Sequence, residues 1–317
     1  MKRLLPLLLI CLLLTGCGAS AVPAVPDSET VTFADAAGRE VSLPVQPQTV
    51  AVLFSSLADV WVTAGGSVDV TVGETVERGF AQEGVTLVDA GAGHSSIDLE
   101  TLVAAAPDLV IGTADYPCQA EACAFCAEHG IPAAALRIER FADYLSVLEL
   151  FCQLTGHPEN YEQYGTAVAE RISAVRAQIP ESADPPKVLF LRVGTSARST
   201  KAKTAEQNFV CAMLDELGAE NIADAAPVLL DGLSLETVVQ AQPDDIFLSP
   251  MGDETAAVAY GEALLSDPGW RDLTAVQAGN YRFLPKELFH FKPNARWDEA
   301  YRILAEALYP EVRFAEN

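Results

Sequence analysis

Apolar residues along this chain fall into two alternating periods. Short runs rich in Val, Ile, Leu and Ala occupy 49–54, 68–73, 85–90, 108–112 and 133–138, and again 187–193, 245–248 and 281–284. Runs of this length, bounded by Gly, Pro and Asp, read as strands. Helical-period stretches lie among them, at 58–64, 120–129, 205–217, 234–240 and 294–308. Strands alternating with helices predict α/β architecture with a largely parallel sheet in each of two lobes. Between the two sets the pattern changes to a pair of helices, 142–155 and 159–178, separated by Gly156-His157-Pro158. The second carries Val168, Ile172 and Val175 on one side and stops at Pro180, after which Asp184-Pro185-Pro186 punctuates the chain. The expected organisation is an N-terminal lobe at 30–157, a bridging helix at 158–180 and a C-terminal lobe at 181–317. One long helix joining two lobes limits their opening and favours a stiff cleft.

One segment occurs twice. The stretch 97–113, IDLETLVAAAPDLVIGT, returns at 233–249 as LSLETVVQAQPDDIFLS. Asp98 and Ser234 are placed to cap a short helix. Glu100 and Glu236 fall in its first turn, where the helix dipole favours a carboxylate. Pro107 and Pro243 end it and launch a strand. Copies this far apart are not a solenoid, whose periods are shorter. They predict the same αβ corner used once in each lobe.

The N-terminus has a different logic. Lys2 and Arg3 precede an unbroken apolar run from Leu4 to Leu14, followed by Thr15, Gly16 and Cys17. A charged head, an apolar run of about ten residues and a small residue before the cut make a secretory signal. The run is too short for a bilayer, which needs about 20 apolar residues. Leu-Thr-Gly-Cys resembles the bacterial lipobox. That resemblance implies a signal peptide at 1–16, cleavage before Cys17 and diacylation of its thiol, and stable attachment needs both acyl chains. Residues 17–29, rich in Gly, Ala, Ser, Val and Pro, then read as a flexible tether. The expected location is extracytoplasmic, lipid-anchored to the cell membrane.

Composition narrows the classes. Half the residues are hydrophobic and 20% are charged, which describes a globular chain and not a disordered one. The formal net charge is −24, a surface that repels phosphate backbones and so argues against a nucleic-acid partner. Beyond Cys11 and Cys17 the cysteines are Cys118, Cys123, Cys126, Cys152 and Cys211. The cluster at 118–126 with His129 is open to three readings: a local disulfide, buried thiols, or metal or redox chemistry. Its spacing lacks the second paired half of a zinc ribbon.

The order and spacing of several segments carry a family resemblance. TVTFADAAGREVSLPVQPQTVAVL at 30–53, the LETLVAAAPDLVIG corner with its partner, the linking helix, MLDELGAENIAD at 213–224 and LFHFKPNARWDEAYRILAEALYP at 288–310 together resemble the substrate-binding lipoproteins of ABC importers for ferric siderophores, haem and cobalamin. The resemblance covers 30–310. It implies two Rossmann-like lobes bridged by one rigid helix, with ligand held between them. It also implies a monomer, no resident cofactor, and a membrane permease as partner, docked through a glutamate on the tip of each lobe; by motif position these are Glu100 and Glu236.

Ligands of open α/β lobes lie outside the carboxyl ends of the strands, so the loops expected to face the ligand are 54–56, 91–95, 113–116, 194–203, 249–252 and 289–296. Ser55 lies in the first of these. Against an acidic background, 192–203 gathers Arg192, Arg198, Lys201 and Lys203, and Lys292 and Arg296 are expected to join them. Such a cluster suits an anionic ligand such as a ferric chelate or a haem propionate. Tyr116 and His290 are the candidate groups for touching iron or stacking on a planar ligand, with His94 a lesser one; a core histidine is the competing reading for His290, which sits between Phe289 and Phe291. The expected cargo is therefore an iron complex, with a corrinoid as the alternative and no protein metal site. A secreted thiol oxidoreductase or hydrolase is the contrasting class. The chain has no Gly-x-Ser-x-Gly elbow, Gly-x-Gly-x-x-Gly, Walker loop or His-Glu-x-x-His, and Cys123-Ala-Phe-Cys126 lacks a thioredoxin-like setting. No enzyme activity is expected.

Overall fold

The computed structural model describes residues 30–89, 96–181, 184–231 and 234–314. The signal, Cys17, the tether, His94 with the rest of the 91–95 loop, and Leu233 lie outside them. An antiparallel hairpin of β1 (Thr30–Ala34) and β2 (Glu40–Pro44) opens the described chain. Five parallel strands follow, β3 (Val50–Val52), β4 (Val70–Thr71), β5 (Thr86–Leu87), β6 (Leu109–Thr113) and β7 (Ala133–Leu136), in the order β5-β4-β3-β6-β7. The second sheet holds β8 (Lys187–Val193), β10 (Glu220–Asn221), β11 (Asp245–Pro250) and β12 (Tyr281–Phe283) in the parallel order β10-β8-β11-β12. The short β9 (Lys201–Ala202) runs antiparallel on β8. Two α/β lobes with parallel sheets are thus present, and every strand expected from an apolar run is found, most of them trimmed at the ends. The hairpin escaped prediction because its residues alternate between exposed and covered and form no apolar run. The helix Glu254–Ser266 was also missed, since alanines and Gly261 blur its period. Gly261 is required there: a Cβ would stand 2.7 Å from the Phe283 ring.

Strand alternation sorts the core into layers. Val50, Val52, Leu109, Ile111, Ala134 and Leu136 of the first sheet join Val188, Phe190 and Phe247 of the second in one continuous core. Their neighbours point the other way, into a core private to each lobe: Ala51, Leu53, Val110 and Ala135 in the first, Leu189, Leu191, Ile246 and Leu248 in the second. The period of two puts successive side chains on opposite faces, so one face of each sheet contributes to a core common to both lobes. Helices Phe141–Thr155, Ala167–Arg176, Phe209–Glu216 and Trp297–Leu308 fill that common core. Trp297 sits at its centre, edge-on to Phe141 and Phe209. The expected bridging segment is helical from Pro158 to Arg176, with a π-helical turn at Glu162–Thr166. It is clamped to the last helix by Arg171 Nε on Asp298 Oδ2 at 2.5 Å.

The duplicated corners are alike in detail. Asp98 accepts from the Glu100 and Thr101 amides, and Ser234 from the Thr237 amide. Helix Leu99–Ala104 is followed by Ala106 at φ 48°, and helix Leu235–Ala241 by Gln242 at φ 46°, each a left-handed residue just before the proline. The aspartate after each proline then ties down the first strand of its parallel sheet: Asp108 accepts from the Thr49 amide at 2.9 Å and Asp244 from the Lys187 amide at 2.8 Å. None of the five cysteines in the described residues forms a disulfide. Cys123 and Cys126 face the private core of the first lobe, and burial pushes the Cys123 thiol up to about 12.

Asn294 joins the ends of the molecule. It is fully buried at φ 50°, and its Nδ2 donates to Ser56 O at 2.9 Å and to Asp59 Oδ2 at 2.8 Å. Burial raises the Asp59 carboxyl, which depends on Asn294 and Arg78 for compensation. Asn294→Ala is expected to destabilise by about 2–4 kcal/mol, because it strands a buried carboxylate and keeps the positive φ. Urea denaturation measures this; a loss below about 0.5 kcal/mol would show that the link is dispensable.

Candidate functional site

In each sheet the first strand lies inside, with later strands added on both sides. The loops leaving β3 and β6, and those leaving β8 and β11, therefore diverge and open a crevice at their carboxyl ends. Both crevices face one cavity of about 550 Å3. Phe54 and Ser56 enter it after β3, Asp115 and Tyr116 after β6, and Glu139 after β7. From the second lobe come Arg192 near the end of β8, Gly252 after β11, and Lys286, His290, Phe291 and Lys292. Phe209 connects the cavity wall to Trp297 and the common core behind it.

The charged groups in and beside this wall meet close polar or aromatic partners. Lys292 Nζ lies 3.1 Å from Glu139 Oε2 and over the Phe209 ring; burial lowers it, and Glu139 opposes that. Arg137 Nε lies 2.6 Å from Asp115 Oδ1. Arg78 bonds to the hydroxyls of Ser55 at 2.9 Å and Ser56 at 3.3 Å, and its guanidinium lies 3.9 Å from the centroid of Phe291, across the lobes. The Ser55 hydroxyl donates to Glu74. Arg192 Nη2 lies 2.6 Å from His290 Nδ1. Burial first, then the Arg192 and Lys286 cations, press the imidazole down to about 4, so it is neutral at pH 7. Burial and the nearby Glu74 carboxylate raise the Tyr116 phenol, which keeps its proton.

Of the residues singled out in the sequence, the fold brings Tyr116, Arg192, His290 and Lys292 to one cavity. Ser55 is buried one layer behind it, holding Glu74 and Arg78. Lys201 lies opposite Arg192 across the β8–β9 ladder without lining the cavity. Arg198 is exposed on the turn before β9. Arg296 points to Glu299 at 2.7 Å and stays outside. The cationic cluster of the sequence is therefore dispersed, and Glu74, Asp115 and Glu139 stand in the cavity with Arg192, Lys286 and Lys292. Glu74, Arg78 and Glu139 were missed. Their one signal was charge at the edge of an apolar run, which solvated residues share. Glu100 and Glu236 are exposed on the first turns of their helices. Those helices precede the central strands β6 and β11 and so begin on the side where the strands end, flanking the cleft.

Among the described residues no group of three His, Cys, Asp or Glu side chains is placed to hold a metal ion, and no helix is long and apolar enough to cross a membrane. Residues 50–288 match the family described as periplasmic binding protein. No curated protein matches the sequence. Solved structures with the same fold include the periplasmic heme-binding protein RhuT from Roseiflexus sp. RS-1 in apo form, 22% identical over 83% of this chain and 98% of that one, with a TM-score of 0.67. SirA of Staphylococcus aureus complexed with staphyloferrin B is 15% identical over 89% and 98%, at 0.65. IsdE of S. aureus complexed with heme is 12% identical over 82% and 98%, at 0.64.

A neutral His290 makes stability pH-dependent in a stated direction. Its folded value lies below the unfolded one, so between about pH 6.5 and 4 the unfolded chain takes up a proton that the native one refuses, and stability falls as pH falls. Because the ring is partly exposed, the loss is about 1–2 kcal/mol. Urea unfolding at pH 7 and pH 4.5 should show a smaller fall for His290→Gln than for the wild type. Equal falls would mean the ring is not held neutral.

Proposed function

This chain belongs to the periplasmic binding protein family, and we propose that it captures a metal complex, a ferric siderophore or haem, between its lobes and delivers it to the permease of an ABC importer. The observation that carries this reading is the cavity itself. At about 550 Å3 it falls in the range of small-molecule sites and is far larger than a bare ion needs. Its aromatic walls, Phe54, Tyr116, Phe209 and Phe291, suit a planar or ring-rich complex, and its polar groups come from both lobes. The haem-binding description of RhuT and the ligands bound to SirA and IsdE support the same cargo class. We take 30–157 and 181–317 as the lobes and 158–180 as a stiff brace between them. The Arg171–Asp298 clamp and the common core favour small movements over a wide hinge. The signal at 1–16 would direct export, a lipid on Cys17 would then hold the protein at the outer side of the cell membrane, and we take it as a monomer.

Glu100 and Glu236 are the proposed permease contacts. Both corners have the same burial, position by position, from 99 to 104 and from 235 to 240, and leave the glutamate exposed each time. Partners that bind two lobes in the same way need such equivalence, while a helix cap does not.

Two experiments test this reading. Trp297 lies one ring behind the cleft wall, so intrinsic fluorescence should be quenched by ferric chelates or haemin at sub-micromolar concentration. Quenching by cyanocobalamin alone would replace the iron reading with the corrinoid one. Reversing both glutamates, Glu100→Arg with Glu236→Arg, should abolish uptake by cells while leaving affinity in solution unchanged; a loss of affinity would contradict the docking role.

A further inference from the structure

His290 was a candidate for touching iron, yet its hydrogen bond says otherwise. A guanidinium has only N–H donors and no acceptor, so the 2.6 Å contact from Arg192 Nη2 to His290 Nδ1 requires a bare lone pair on Nδ1. A neutral imidazole with a bare Nδ1 carries its hydrogen on Nε2. The backbone holds this arrangement in place. The His290 amide donates to Lys286 O at 3.0 Å, and Ser249 Oγ donates to the preceding carbonyl, Phe289 O, at 3.0 Å. Among the described residues none hydrogen-bonds Nε2, and the ring lines the cavity.

We propose that His290 contacts the solute as a hydrogen-bond donor through Nε2–H, locked in that tautomer by Arg192, and that the cleft is therefore built for a metal complex whose own ligands already saturate the metal and offer an oxygen acceptor at this edge. This rests on the metal-complex reading above and narrows it. Coordination through Nε2 would need the proton moved to Nδ1, which sets an N–H against the buried guanidinium and breaks the contact that holds the ring. Arg192 and Lys286, whose charges act on the ring, line the same cavity and bring N–H donors and positive charge to this edge. A chelate rimmed with carboxylate, catecholate or hydroxamate oxygens meets such a surface well. An iron centre with an open axial position does not.

The test compares His290→Gln with His290→Ala. A glutamine amide can still donate but cannot replace an imidazole as an iron ligand. Wild type and both variants are titrated with ferric citrate, a ferric tris-catecholate, a ferric tris-hydroxamate and haemin, followed by fluorescence and absorption. The expected result is a ferric chelate bound by H290Q within about three-fold of wild type and weakened roughly ten-fold or more by H290A. The chelate's own absorption bands should be unchanged on binding. Long-range 1H–15N spectra of the unliganded wild type should show His290 protonated on Nε2, and Arg192→Leu should release that preference. Equal losses in H290Q and H290A, bound haemin with an imidazole-ligated spectrum that H290Q abolishes, or a proton on Nδ1 would each overturn the proposal. If no probe binds the wild type, the metal-complex reading fails first and the proposal falls with it.

Discussion

Parallel strands that are buried on both faces must find apolar cover on both, and in this molecule the two sheets share part of theirs. Alternate residues of β3, β6, β7, β8 and β11 enter one common core, and the helices around Trp297 fill it from both lobes. Each large side chain placed there is worth about 1.5–3 kcal/mol in apolar burial. Those side chains come from both lobes. The cleft is thus a gap left above a continuous core, and the position of its walls follows from the packing beneath them.

That origin explains the electrostatics of the cleft. A cavity floored by apolar packing is partly shielded from water, so a charge in its wall needs a partner close by. Lys292 has Glu139, Arg78 has two serine hydroxyls and the Phe291 face, and Arg192 has the His290 ring. Several of these contacts cross between the lobes. The segment 290–294 supplies Phe291, Lys292 and Asn294 to the first lobe while lining the cavity with His290, so residues of the cavity wall also hold the lobes together. The shape of the cavity and the geometry of the lobes are coupled through those few side chains.

The duplicated corner shows how one sequence echo becomes structure. In both copies the cap, the left-handed residue before proline and the aspartate on the neighbouring strand recur. Left-handed alanine and glutamine cost roughly 1 kcal/mol each, so both corners retain a backbone that neither residue prefers. The tight turn lets the following strand start at once, with the aspartate holding the first strand of the sheet in register. The exposed glutamate at the same point of both corners lies in the first turn, where the helix dipole favours a carboxylate.

What could be read from residues alone was whatever local periodicity controls. The apolar runs located the central strands because a strand buried on both faces must be apolar throughout. The Asp98 and Ser234 caps and the Pro107 and Pro243 stops were legible because they act within one turn of their own position. The loops after β3, β6 and β8 followed from the rule for parallel sheets, and with them Tyr116 and Arg192. Spacing could not reveal which charges meet. Arg192, Arg198 and Lys201 are neighbours in sequence, but the β8–β9 turn sends Arg198 to solvent, while Glu139 and Lys292 come together from 153 positions apart. The tautomer of His290 is a fact of the same kind. Nothing around position 290 specifies it; Arg192, 98 residues earlier, does so because both strand and helix end at the same cavity. Local sequence determined the elements and the side of the sheets on which a solute would bind. Only the tertiary structure decided the chemistry there, because pairing of buried charges depends on distance in space.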